Sequence, residues 1–209
     1  MAKKKSKKVA SGDVEGNGVQ RTVKLFTAMQ EKGAVWYSRE REGIALIEGF
    51  QSALLAVREA QAASNAIQDK NDGVVLAGLA GNAEMDPWLA EDLYQQVQAL
   101  SSGFEELLEE MYALQTQARE IVLAERDECE RIEATRLRPV DYLQMINQEL
   151  ATFEAEYQHI EALLQLISFE ISTDELRTLV ISWSTSPFLD PTLTRCFLQR
   201  HQLSQQLHS

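Results

Sequence analysis

Glu156-Tyr157-Gln158-His159 has the Glu-x-x-His spacing with which helical bundles hold a pair of metal ions. Such a site needs two of these motifs and a further glutamate from each remaining helix. The other histidines are His201 and His208, and Leu198 and Gln205 stand three residues before them, so no second motif forms. Glu156 and His159 also flank Tyr157 and Ile160 instead of sharing their apolar stripe, which predicts that both face solvent and hold no metal. Gly73-Val74-Val75-Leu76-Ala77-Gly78 has the glycine spacing of a phosphate loop. Leu79 and Ala80 follow, where the Lys and Ser/Thr that hold phosphate and magnesium should stand, so the segment reads as a linker.

The other reactive side chains are as sparse. No histidine lies near a suggestive Ser or Cys, which leaves no catalytic triad. Cys129 and Cys196 lack any paired spacing and fit a reducing compartment better than a disulfide framework. The acids around Cys129 (Asp127, Glu128 and Glu130) raise a thiol pKa and so disfavour a reactive thiolate. Glu105-Glu106 and Glu109-Glu110 have the chemistry of a general acid and base, but on a heptad helix they are more simply its solvated face. The expectation is a protein that is not an enzyme and uses no cofactor.

One block has no simple heptad explanation: Trp183-Ser184-Thr185-Ser186-Pro187-Phe188-Leu189-Asp190. Aromatics bracketing a proline turn can anchor a partner, which makes Trp183, Pro187, Phe188 and Asp190 candidate partner-binding residues. The competing reading is that Trp183 and Phe188 plug the end of a helical core.

The elements that must position this block are helices. Ten glycines and four prolines are few for a chain of 209 residues, and many short strands would need more turn residues. Ala90, Leu93, Val97, Leu100, Phe104, Leu107, Met111, Leu114, Ala118 and Ile121 alternate by three and four, a heptad seam. Leu143, Ile146, Leu150, Phe153, Tyr157, Ile160, Leu164, Ile167 and Ile171 repeat the pattern. Gly33, Trp36, Gly43, Ile47, Phe50, Leu54 and Val57 suggest an earlier helix, with a break near Gly33. Ser172 and Glu175 have capping-box spacing, and Asp86-Pro87 and Asp190-Pro191 pair an N-cap with a proline at the first helical position.

These signals predict helices over about 19–70, 87–137, 141–171, 173–183 and 191–206, with Leu193, Phe197 and Leu203 on the last. The expected fold is all-α: one domain over 19–209, an elongated antiparallel helical bundle or coiled coil with short C-terminal helices. At ~1.5 Å per residue the second helix would span roughly 75 Å and the third about 45 Å. The two short helices would cover what the third leaves bare.

Residues 1–18 read as a disordered tail. Lys3, Lys4, Lys5, Lys7 and Lys8 face no acid within residues 1–10, in a chain whose net charge is −12. The tail is a nuclear address or a loose nucleic-acid contact, or else a solvated end that only aids solubility. The body beyond it is more acidic still, which disfavours a nucleic-acid surface. No apolar run follows the lysines, as a secretory signal requires, and no stretch approaches the ~18 apolar residues of a membrane helix.

The terminal block, with Leu176 and Leu179 leading to Trp183, Pro187, Phe188 and Asp190, resembles the cyclin-dependent kinase 2-interacting protein family. The layout upstream is similar too: a tryptophan-bearing first helix, a long acidic coiled-coil helix, then Pro139 and Tyr142 opening a third. The resemblance implies a nuclear, and also cytoplasmic, non-enzymatic adaptor in genome maintenance, DNA replication and repair, and cell-cycle control. It implies hetero-oligomeric assembly with cyclin-dependent kinase or replication factors and with an AAA+ ATPase complex acting in ribosome maturation. Heptads alone also fit a structural coiled-coil subunit of a kinetochore, centrosomal or vesicle-tethering complex.

Overall fold

A computed structural model of the chain describes residues 12–68, 88–124 and 136–208. They form the helices α1 (Gly12–Gln68), α2 (Leu89–Ala124), α3 (Pro139–Gln165), α4 (Thr173–Ser184) and α5 (Pro191–His208), with no strand among the described residues. The fold is all-α, as the heptads predict. No helix among these residues is long and apolar enough to cross a membrane.

On α1 the seam begins earlier than the sequence reading placed it. Thr22, Phe26, Met29, Gly33, Trp36, Glu40, Gly43, Ile47, Phe50 and Leu54 alternate by four and three, and all are buried. The break expected near Gly33 does not occur. A Cβ there would lie 3.2 Å from Phe153 Cζ, so the ring fills the space a side chain would take and offsets the weak helix propensity of glycine. The helix also takes in Gly12–Gly18, expected within the disordered tail. Extending a nucleated helix adds a hydrogen bond for each residue ordered, so a polar lead-in can follow the seam that nucleates it. Residues 1–11, with the lysines, lie outside the described residues, as do Asp86-Pro87, the Gly73–Gly78 segment and Cys129.

Three other boundaries differ from expectation. The second helix is described to Ala124, and residues 125–135 of its expected span lie outside the described residues; Leu137 is not helical, and its N–H donates to Ser204 Oγ on α5 at 3.0 Å. Pro139 opens α3, two residues before the expected start, where a missing N–H costs nothing. The far end of α3 is Gln165 although the heptad continues through Ile167 and Ile171. Both isoleucines are buried from an irregular segment. There the Arg58 guanidinium donates to the carbonyls of Phe169 (2.9 Å) and Ile171 (2.6 Å), replacing bonds a helix would have made.

Contacts divide the chain into two compact units. One comprises Met1–Val35, Glu106–Ala155 and Phe188–Ser209, the other Trp36–Glu105 and Glu156–Pro187. Helices α1, α2 and α3 give a segment to each, and a fourth helix completes each one: α4 in the second, α5 in the first.

In the α4 unit, the ring of Trp36 meets that of Phe104 at 4.8 Å and Phe50 meets Tyr94 at 5.6 Å, both tilted, so α2 runs antiparallel to α1. Helix α4 is antiparallel to α1 as well, since Gln51 Nε2 donates to Thr173 O at 3.1 Å while Trp183 lies against Gly43. In the α5 unit, α3 runs parallel to α1: Phe26 meets Tyr142 at 5.7 Å, and Gln30 donates to Glu149. There α5 returns antiparallel to α3, with Tyr142 Oη 2.9 Å from His201 Nδ1 and Thr194 bonded to Glu149.

Two glycines of α1 should respond in opposite senses to substitution. A Cβ at Gly43 would come within 2.9 Å of two carbons of the rigid Trp183 ring, so Gly43→Ala is expected to destabilise by about 1–3 kcal/mol. At Gly49 the nearest atoms are Leu93 methyls at 3.6 and 3.7 Å, ordinary contact. Gly49→Ala is therefore expected to stabilise by about 0.5–1 kcal/mol through helix propensity. Urea denaturation of both variants checks this; two shifts of the same sign would contradict it.

Candidate functional site

The terminal block begins on a well-anchored helix. Ser172 and Glu175 form the expected capping box, each side chain accepting the other's backbone N–H. Leu176 and Trp183, seven residues apart, are the buried side chains of α4. Trp183 is 0% exposed, with its ring 6.2 Å from that of Phe104 and its far edge over Gly43. Its Nε1 has no hydrogen-bond partner among the described residues. Trp183 is thus a core side chain of the α4 unit.

The turn after it is tightly specified. The Ser186 N–H donates to Trp183 O at 2.9 Å, and Ser186 takes φ 39°, a left-handed conformation costly for a side chain. Pro187 follows and cannot continue the helix. Asp190 Oδ1 accepts the N–H groups of Thr192 (2.8 Å) and Leu193 (3.3 Å), the N-cap expected for α5. The Thr192 hydroxyl and backbone bonds hold the Asp190 carboxyl below its usual range. Phe188, between these fixed points, remains 49% exposed. Of the four candidates, Trp183 and Pro187 belong to the α4 unit, Phe188 and Asp190 to the α5 unit. They are near one another in sequence, but their surroundings differ: one is core, one a cap and one a half-exposed ring.

Glu156 overturns its expected exposure, at 0%. The cause is a second stripe on α3, running Tyr142, Ile146, Glu149, Phe153, Glu156, Ile160 and Leu163, all buried. A helix packed against three neighbours buries more than one seam, and Glu149 and Glu156 fall on that wider face. His159 is half-buried, its Nε2 3.5 Å from Ser182 O and Oγ. Among the described residues no three His, Cys, Asp or Glu side chains are grouped to hold a metal.

Glu40 was missed by the sequence reading, although a signal for it exists. It occupies the α1 seam between Trp36 and Gly43, where an apolar residue belongs. Its carboxylate accepts the Trp36 Nε1–H at 3.1 Å and the Ser186 hydroxyl at 3.5 Å. Burial pushes the carboxyl up to about 7 from its ordinary 4.5; the Trp36 bond opposes this and the negative charge of Glu156 adds to it. Burial also raises Glu149, against hydrogen bonds from Gln30 and Thr194.

The α5 unit has an open cleft of about 370 Å³ lined by residues including Val19, Arg136, Tyr142 and Ser204. Its inner polar groups are already engaged, Tyr142 with His201 and Ser204 with the Leu137 N–H. Neither a protein-family model, nor a curated protein, nor a solved structure matches the chain.

The raised carboxyl of Glu40 has a definite consequence for stability. The folded protein binds this proton more tightly than the unfolded chain, so the stabilisation is fully present below about 4.5 and lost as pH rises through about 7. Glu40→Gln should therefore gain on the parent protein as pH rises, by up to about 3 kcal/mol at roughly pH 8. Urea denaturation across that range measures the difference. A gap of the same size at about pH 5 and pH 8 would show that Glu40 does not titrate this way.

Proposed function

We propose that the chain is a non-enzymatic helical adaptor that holds protein partners through the turn joining α4 to α5, as its resemblance to the cyclin-dependent kinase 2-interacting protein family implies. The observation that carries the reading is Phe188. Its half-exposed ring stands on a turn constrained by the left-handed Ser186, by Pro187 and by the Asp190 cap. An aromatic anchor held in one position loses little entropy when a partner covers it. The same reading places the protein in the nucleus, with a cytoplasmic pool, acting in genome maintenance and cell-cycle control. Its partners are subunits of an AAA+ ATPase complex of ribosome maturation, and cyclin-dependent kinase or replication factors.

Affinity purification of the tagged chain from its native cells, followed by mass spectrometry, tests the reading. The parent protein should recover AAA+ ATPase subunits or cell-cycle kinase components, and recovery of neither would remove it. Phe188→Ser should lose these partners at a temperature below its thermal transition, where circular dichroism shows its helices intact. Trp183→Ala should lose about 3–5 kcal/mol of stability, because it empties a packed core site. Undiminished partner recovery by Phe188→Ser would show that the turn is not the docking surface.

A further inference from the structure

Helix α5 differs in charge from the rest of the protein. Across Pro191–His208 it carries Arg195, Arg200, His201 and His208 and no acid, in a chain of net charge −12. It buries Phe197 and Ser204 against its unit. Leu203, on this helix as the sequence reading placed it, is 57% exposed, and Leu207 is 60% exposed. Cys196, Arg200, Leu203 and Leu207 are all exposed and follow one another by steps of four, three and four. That stepping lines up side chains along one face of a helix, here a face turned from the core. Neither Arg195 nor Arg200 has an ion-pair partner among the described residues.

From this face we infer a docking surface for an acidic amphipathic helix of another protein. The leucines would enter that helix's apolar seam and Arg200, on the same stripe, would meet its carboxylates, while Arg195 lies about 100° further round α5 and adds to its positive charge. Charge decides the choice of occupant. Two arginines without acid neighbours on their own helix attract an acidic partner and repel a basic one. Two arginines fall short of the four to eight basic residues with which a helix holds an anionic membrane. The inference deepens the adaptor reading, since it specifies a second surface and the chemistry of what binds there.

The test uses the full chain and a dye-labelled synthetic peptide of four heptads, with Leu at positions a and d and Glu at e and g. Its glutamates keep it from pairing with itself. Fluorescence anisotropy should show saturable binding that weakens with added salt, and no binding of the same peptide with Lys in place of Glu. Leu203→Ser/Leu207→Ser and Arg195→Glu/Arg200→Glu should each weaken binding at least roughly tenfold. Thermal transitions should be unchanged, because the substituted side chains are already exposed. Absence of binding, equal binding of the Lys peptide, or affinity indifferent to both double variants would overturn the proposal. So would capture of the chain by phosphatidylserine vesicles through these residues, or self-association in sedimentation that Leu203→Ser/Leu207→Ser abolishes. Such a failure, with AAA+ ATPase or kinase partners still recovered, would remove this surface and leave the adaptor reading intact.

Discussion

Trp183 meets α1 at a glycine, and that contact fixes where α4 stops along its neighbour. Any side chain at position 43 would press into the far edge of the indole. The other links of α4 and its approach segment to α1 follow in register: Ser186 with Glu40, Gln51 with Thr173 O, Arg58 with the carbonyls of Phe169 and Ile171. A large rigid ring opposite the smallest residue lets two helices approach closely at one position and not at the next turn. The φ of Ser186 is the local cost of ending the helix directly after that ring.

Carboxylates on the seams act in the opposite direction. Glu40, Glu149 and Glu156 are buried on stripes that are otherwise largely apolar. Each costs desolvation, offset in part where hydrogen bonds are made: Trp36 and Ser186 to Glu40, Gln30 and Thr194 to Glu149. Those partners lie on α1, α5 and the turn after α4, so the bonds form in one register only. Heptad helices slide easily into neighbouring registers, and a polar group on the seam penalises the slipped pairing.

Much of the fold was legible because heptad spacing is a local property. The stripes of α2 and α3, the Ser172 capping box and the Asp190 cap need no knowledge of the rest of the chain. Misjudged features depend on distant neighbours. Gly33 looked like a break because Phe153, which fills its space, stands far along the chain. Ile167 and Ile171 looked helical because nothing nearby shows that Arg58 takes over their segment's carbonyls. The candidate site divides similarly: Asp190 could be read as a cap, whereas the burial of Trp183 depends on Gly43 and Phe104.

Periodicity, caps and prolines by themselves determined that the chain is helical, roughly where its helices lie, and which stripe of each is apolar. Those properties arise from bonds and side chains within a few residues of one another. Tertiary structure decided how many stripes each helix buries, and with that the fate of Glu40, Glu149, Glu156 and Leu203. A side chain's environment depends on the number of neighbours its helix touches, and spacing along one helix carries no record of that number.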